Sequence, residues 1–111
     1  MSNTISQFES IIQKVLKFRN ERNWKKYHTP RNLASSIAIE AAEILEIFQW
    51  DLSHQSKLNS REKVTLADEI ADVMIYCLLL AHESNIDPYE AIIEKIEKNA
   101  IKYPIRKPES T

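Results

Sequence analysis

Four carboxylates stand where carboxylates are costly. Glu40 and Glu43 lie in "IAIEAAEILEIFQW", and Glu69 and Asp72 in "LADEIADVMIYCLLL", the two most apolar stretches of the chain. In each stretch the two acids are three residues apart, which puts them on one side of a helix. Acids that leave water without a positive partner lose hydration, and those that crowd each other resist ionising. Four converging acids therefore call for cations. Ligation by oxygen alone suits hard divalent ions, Mg²⁺ first, with Mn²⁺ as the alternative. The Glu-x-x-His pair of di-iron bundles is missing, because the third residue after Glu40 and after Glu69 is acidic; this weighs against redox iron.

Helical periodicity predicts where the acids point. On the second helical segment the apolar stripe runs along Ile37, Ala41, Ile44 and Phe48. Glu40 and Glu43 border that stripe with Trp50 beside Glu43, while Glu46 lies opposite and is read as solvated. On the third segment the stripe is Leu66, Ile70, Val73, Met74, Cys77 and Ala81. Glu69 borders it, Asp72 is one step further round with Tyr76 between them, and Asp68 faces water. Antiparallel packing of the two segments would bring the two acidic edges together.

These edges need a frame, and the pattern is helical throughout. A first segment over residues 5–21 repeats Ile5, Phe8, Ile12, Val15, Leu16 and Phe18 at steps suited to a helix, with Thr4 and Gln7 as a capping box. A second runs over 30–52, with Pro30 in its first turn. A third runs over 60–84 behind an Asn59 and Glu62 box. A fourth opens at Asp87, Pro88 and Glu90 and ends before Pro104. The fold class expected is all-α: an antiparallel four-helix bundle in one domain over 1–111, with 105–111 a frayed tail. Residues 53–60 read as a solvated turn. "NWKKYHTPR" (23–31) carries too many aromatic and polar groups to be only a linker: Trp24, Tyr27 and His28 either cap the core or stack on a base. On the fourth segment the stripe Ile92, Ile96, Asn99, Tyr103 puts an amide in a core-facing slot, flanked by Lys95, Lys98 and Lys102, one of which could meet a phosphate.

Composition narrows the functions further. The 111 residues are 43% hydrophobic and 28% charged with a formal net charge of −1, the balance of a globular protein with no global field for nucleic acid or an anionic membrane. Glycine is absent, which removes the glycine-rich phosphate loops of nucleotide-binding α/β folds. Cys77 is read as a small buried hydrophobe; a lone thiol makes no internal disulfide and suits a reducing cytoplasm. "MSNTISQFES" has no basic-then-apolar leader, and no apolar run is long enough to span a membrane.

These blocks carry a resemblance. The chain resembles the MazG-like, all-α nucleoside triphosphate pyrophosphohydrolases, and among them the small dCTP-pyrophosphatase-like branch. The family signature is E-x-x-E followed by E-x-x-D, here Glu40-Ala-Ala-Glu43 and Glu69-Ile-Ala-Asp72. Further matching blocks are "FRNERNWKKYHTPRNL", "EIFQW", "ADEIADVMIYCLLLA" and "EKIEKNAIKYP". The resemblance implies a bundle completed by oligomerisation, as a homodimer or homotetramer, that hydrolyses a nucleoside triphosphate to monophosphate and pyrophosphate with Mg²⁺. It places metal ligands at Glu40, Glu43, Glu69 and Asp72, with Glu40 or Glu43 activating water. It places base and sugar contacts at Trp24, His28, Trp50, Tyr76, Asn99 and Tyr103, and a phosphate contact at Lys98. Where that branch can carry a further histidine in the first helix, this chain has Val15, which implies a substrate range broader than dCTP or a modified pyrimidine deoxynucleotide. The rival expectation is a non-catalytic helical module that binds nucleotides or a partner protein.

Overall fold

Each helix begins where a side-chain oxygen takes up a backbone N–H that has no partner inside the helix. In the computed structural model, which describes residues 6–50 and 57–106, there are four such starts. Helix α1 (Gln7–Glu21) is capped by Ser6, which accepts the Glu9 N–H. Helix α2 (Pro30–Ile47) is capped by Thr29, with Pro30 supplying a pre-set φ in the first turn. Helix α3 (Ser60–Glu83) opens with the full Asn59 and Glu62 capping box, at 2.8 and 3.0 Å. Helix α4 (Pro88–Lys102) is capped by Asp87 and stops before Pro104. The predicted starts of α2, α3 and α4 therefore stand. The cap expected at Thr4 lies outside the described residues, and α1 starts behind Ser6 instead. Helix α2 stops at Ile47, short of the expected 52.

Without glycine, the chain uses asparagine where a helix must end in a left-handed residue. Asn23 has φ 55° and Asn85 has φ 56°. Asparagine is the next best residue there after glycine. After α1, Asn23 N–H donates to Asn20 O at 3.1 Å and Trp24 N–H to Arg19 O at 3.2 Å. After α3, Asn85 N–H donates to His82 O and Ile86 N–H to Ala81 O, at 3.2 and 2.8 Å. Both are Schellman caps. The first has a functional consequence: it folds Trp24 back onto Phe18, with ring centroids 5.7 Å apart in an edge-to-face pair.

Helices α2 and α3 form the main packed pair, α1 packs on α3, and α4 touches α3 only lightly. Neighbours along the α2/α3 seam run in opposite senses: Glu43 lies against Glu69, and Asp72 acts on Glu40. The pair is antiparallel. Among the described residues there is no strand, and the all-α class holds.

Two expectations about the core are corrected. First, Glu40 and Glu69 do not sit at the edge of apolar stripes; they lie within the seam. On α3 the half-buried and buried positions include Leu66, Glu69, Val73, Tyr76, Leu79 and Glu83, with Glu62, Leu78, Leu80 and Ala81 also half-buried, whereas Ile70, Met74 and Cys77 are exposed. On α2, Leu33, Ile37, Glu40, Glu43, Ile44 and Ile47 face inward, and Ala41 and Phe48 do not. Counting apolar residues misplaced the centre of the stripe because both helices are apolar on more than one face. Second, the α4 stripe with Asn99 is not covered: every residue from 89 to 106 is exposed. Only Leu33 and Leu79 are buried apolar residues among those described, at 1% and 3% exposure. The radius of gyration is 18.4 Å, against about 13 Å for a compact chain of this length.

Candidate functional site

Glu40 and Glu43 project from one turn of α2 toward Glu69 of α3. One carboxylate oxygen from each of the three lies within 4.8 Å of the others. Glu40 Oε2 and Glu69 Oε2 are buried without a hydrogen-bond partner. The helices hold these groups together against their own repulsion. Hydrogen bonding to Glu43, then burial, then the charges of Glu43 and Glu40 push the Glu69 carboxyl up to about 7. Burial, followed by Glu43 and the charge of Asp72, raises Glu40 as well, opposed by a hydrogen bond with Glu69. Acceptor-rich oxygens with no cationic side chain among them suit a hard cation.

Asp72, one turn beyond Glu69, links this cluster to a cavity of about 360 Å³ between α1, α3 and the 3₁₀ turn Lys25–Tyr27. Its walls include Trp24, His28 and Tyr76, together with Val15 and Phe18. That volume lies within the range of small-molecule sites. The Schellman cap presents Trp24, and the Thr29 cap after the 3₁₀ turn fixes the chain beside His28. His28 Nδ1 is buried without a partner. Burial, reinforced by the Arg19 charge and opposed by Glu83, lowers its pKa, so the ring is neutral at pH 7.

Of the residues singled out by sequence, the structure brings Glu40, Glu43, Glu69 and Asp72 to one seam and Trp24, His28 and Tyr76 to one adjoining cavity. It does not bring the others there. Trp50, in the turn after α2, is 83% exposed. Lys98 and Asn99 on α4, and Tyr103 at its end, are exposed and outside both the carboxylate group and the cavity.

Of the cavity residues that escaped sequence reasoning, Arg19 is the one with a chemical handle aligned by an ion pair. Arg19 is 2% exposed and pairs with Glu83 at 2.5 Å. The signal was present: Arg19 continues the Phe8, Ile12, Val15 row of α1 at the next helical step, and Glu83 continues the inward row of α3. A charged residue at the end of an apolar row drew no assignment from the pattern.

The chain is similar to known proteins along most of its length. The family model described as MazG-like matches residues 35–111. The chain is 33% identical over 100 residues to "dCTP pyrophosphatase 1" of Mus musculus, covering 87% of this chain and 59% of that protein. It is 33% identical over 99 residues to the protein of the same name from Homo sapiens, covering 86% and 58%. The chain thus spans about three fifths of the length of the curated relatives it matches. A crystal structure of a pyrophosphatase from Archaeoglobus fulgidus DSM 4304 superposes with a TM-score of 0.79 at 42% identity, covering 95% of this chain and 99% of that one.

Proposed function

This chain belongs to the MazG-like family, and from that premise we propose that it is an Mg²⁺-dependent nucleoside triphosphate pyrophosphohydrolase. Its substrate is a pyrimidine deoxynucleotide of the dCTP type or a modified form of it, cleaved to the monophosphate and pyrophosphate. The observation that carries the reading is the convergence of three carboxylates, Glu40, Glu43 and Glu69, next to a cavity of about 360 Å³ whose wall includes Asp72, a charge felt by Glu40.

The donor set fits a divalent cation. Two buried carboxylate oxygens lack any partner, and a carboxyl held near 7 marks uncompensated negative charge. Glu40, Glu43, Glu69 and Asp72 would hold Mg²⁺, with Mn²⁺ as the substitute. When bound, the ion would neutralise phosphoryl oxygens and acidify a water. The chain's own groups do the rest. A carboxylate oxygen of Glu40 or Glu43 orients a water and accepts its proton as the water oxygen bonds to phosphorus and the phosphoanhydride bond breaks. Trp24 stacks on the base, and Tyr76 and His28 line its edges. The biological role that follows is removal of surplus or unwanted dNTPs in the cytoplasm.

A second copy of the chain completes the site. Trp50, Lys98, Asn99 and Tyr103 stand exposed and outside the cavity of their own protomer, and the exposed Ile92, Ile96, Ile70 and Met74 offer the apolar surface for a homodimer or homotetramer. Among the described residues no helix is long and apolar enough to cross a membrane.

The test is incubation with Mg²⁺ and a panel of canonical and modified dNTPs, scoring monophosphate and pyrophosphate. Turnover of at least one pyrimidine dNTP is expected, with Glu43→Gln at least about 100-fold slower and equally helical. Absence of product from every nucleotide at high enzyme concentration would sink the reading.

A further inference from the structure

A guanidinium is an expensive group to bury, and Arg19 is among the most buried side chains of the described chain. Burial of an ion pair is by itself a weak argument for stability. Exchanging a buried ion pair for apolar residues of similar size is often neutral or stabilising. Nor is Arg19 sealed in the core: it lines the cavity with Trp24, His28 and Tyr76, and with Leu79 it marks the cavity's most buried end.

The geometry of its partners points the same way. Nη1 donates to Glu83 Oε1 at 2.5 Å, and Nε donates to Asn20 Oδ1 at 3.3 Å. Glu83 both neutralises the charge and fixes the plane of the group. The guanidinium has further N–H groups on Nη1 and Nη2, and one from each makes the end-on parallel pair that arginine offers a bidentate acceptor. Beside it lies His28 Nδ1, buried and without a partner. The imidazole is neutral at pH 7, because burial and the Arg19 charge lower its pKa. A neutral imidazole keeps one nitrogen as an acceptor.

We propose that Arg19, positioned by Glu83, is the residue that selects the base: its fork donates to the adjacent O2 and N3 acceptors of a cytosine ring, and His28 accepts from the exocyclic amino group. A cytosine edge reads acceptor, acceptor, donor, the complement of this set. Uracil and thymine carry N3–H, which would meet a guanidinium N–H donor to donor. Sites built around buried polar groups reject a ligand that leaves them unpaired. The inference rests on the nucleotide reading given above but concerns the base alone.

Its test is therefore made on the base. dCMP and dUMP share sugar and phosphate, and their binding to the full chain is compared by calorimetry. The wild type is expected to favour dCMP by about 10- to 100-fold, the worth of a bidentate contact. Arg19→Lys keeps the charge opposite Glu83 but offers no fork. The pair R19M/E83L removes both charges together and guards against a folding failure. In each variant the dCMP-to-dUMP ratio should fall close to one, through loss of dCMP affinity, with helicity retained by circular dichroism. A wild type that does not discriminate, or folded variants that keep the ratio, overturns the proposal. If no dNTP is hydrolysed but dCMP is preferred and Arg19→Lys erases the preference, the base reading stands and the hydrolase reading falls.

Discussion

Glu40 and Glu69 meet across the α2/α3 seam, each with Oε2 buried and without a hydrogen-bond partner. Like charges so placed are held by the packing of the helices that carry them. The seam is destabilised wherever both are ionised, and stabilised by whatever neutralises them.

Stability of the metal-free protein should therefore fall as pH rises. Both carboxyls are raised above their ordinary value of 4.5, Glu69 to about 7. A raised carboxyl contributes stability below its unfolded pKa and loses that contribution as pH climbs through the folded one. The melting temperature should drop between pH 5 and pH 8, and saturating Mg²⁺ should raise it more at pH 8 than at pH 5.5, releasing protons on binding. Glu69→Gln should flatten the metal-free profile. Equal Mg²⁺ increments at both pH values would detach the cluster from metal binding.

Trp24→Ala should weaken substrate binding more than it slows chemistry. Loss of one stacked aromatic is worth about 1–3 kcal/mol, so KM should rise roughly 5- to 100-fold with a smaller change in kcat. The edge-to-face contact with Phe18 goes too, costing about 1 kcal/mol of stability. Steady-state kinetics and thermal melts measure the two effects separately. A variant with unchanged KM removes Trp24 from the base site.

The uncovered face of α4 predicts an assembly. Ile92 and Ile96 are 51% and 58% exposed. Ile92→Glu with Ile96→Glu should yield a monomer by light scattering where the wild type is a dimer or tetramer. Turnover should disappear although the carboxylate seam, on α2 and α3, is untouched. A wild type that is monomeric and active would refute the requirement for a second copy.

Much of the fold was legible in local chemistry. Asn59 with Glu62, Thr29 with Pro30, and Asp87 with Pro88 mark three helix starts, because a cap needs only residues within one turn of it. Glu40, Glu43, Glu69 and Asp72 stood out because acids in apolar runs violate a local rule. Arg19 and Glu83 did not, since each looks like an ordinary surface charge until the other, 64 positions away, is brought to it. Cys77 and Asn99 misled for the opposite reason: an apolar or core-facing slot is a statement about a partner surface, and the protomer supplies none.

By itself, then, the sequence determined which segments are helical, where α2, α3 and α4 start, and which four acids could share a cation. Those are consequences of backbone caps and short periodic spacings, which act over a few residues. Only the tertiary structure decided that Glu40 and Glu69 lie inside the seam, that Asp72 opens onto the cavity, and that Arg19 stands buried within it. Those depend on which of several apolar faces each helix turns to its neighbour, a choice made by the summed packing of α1, α2 and α3 rather than by any one helix.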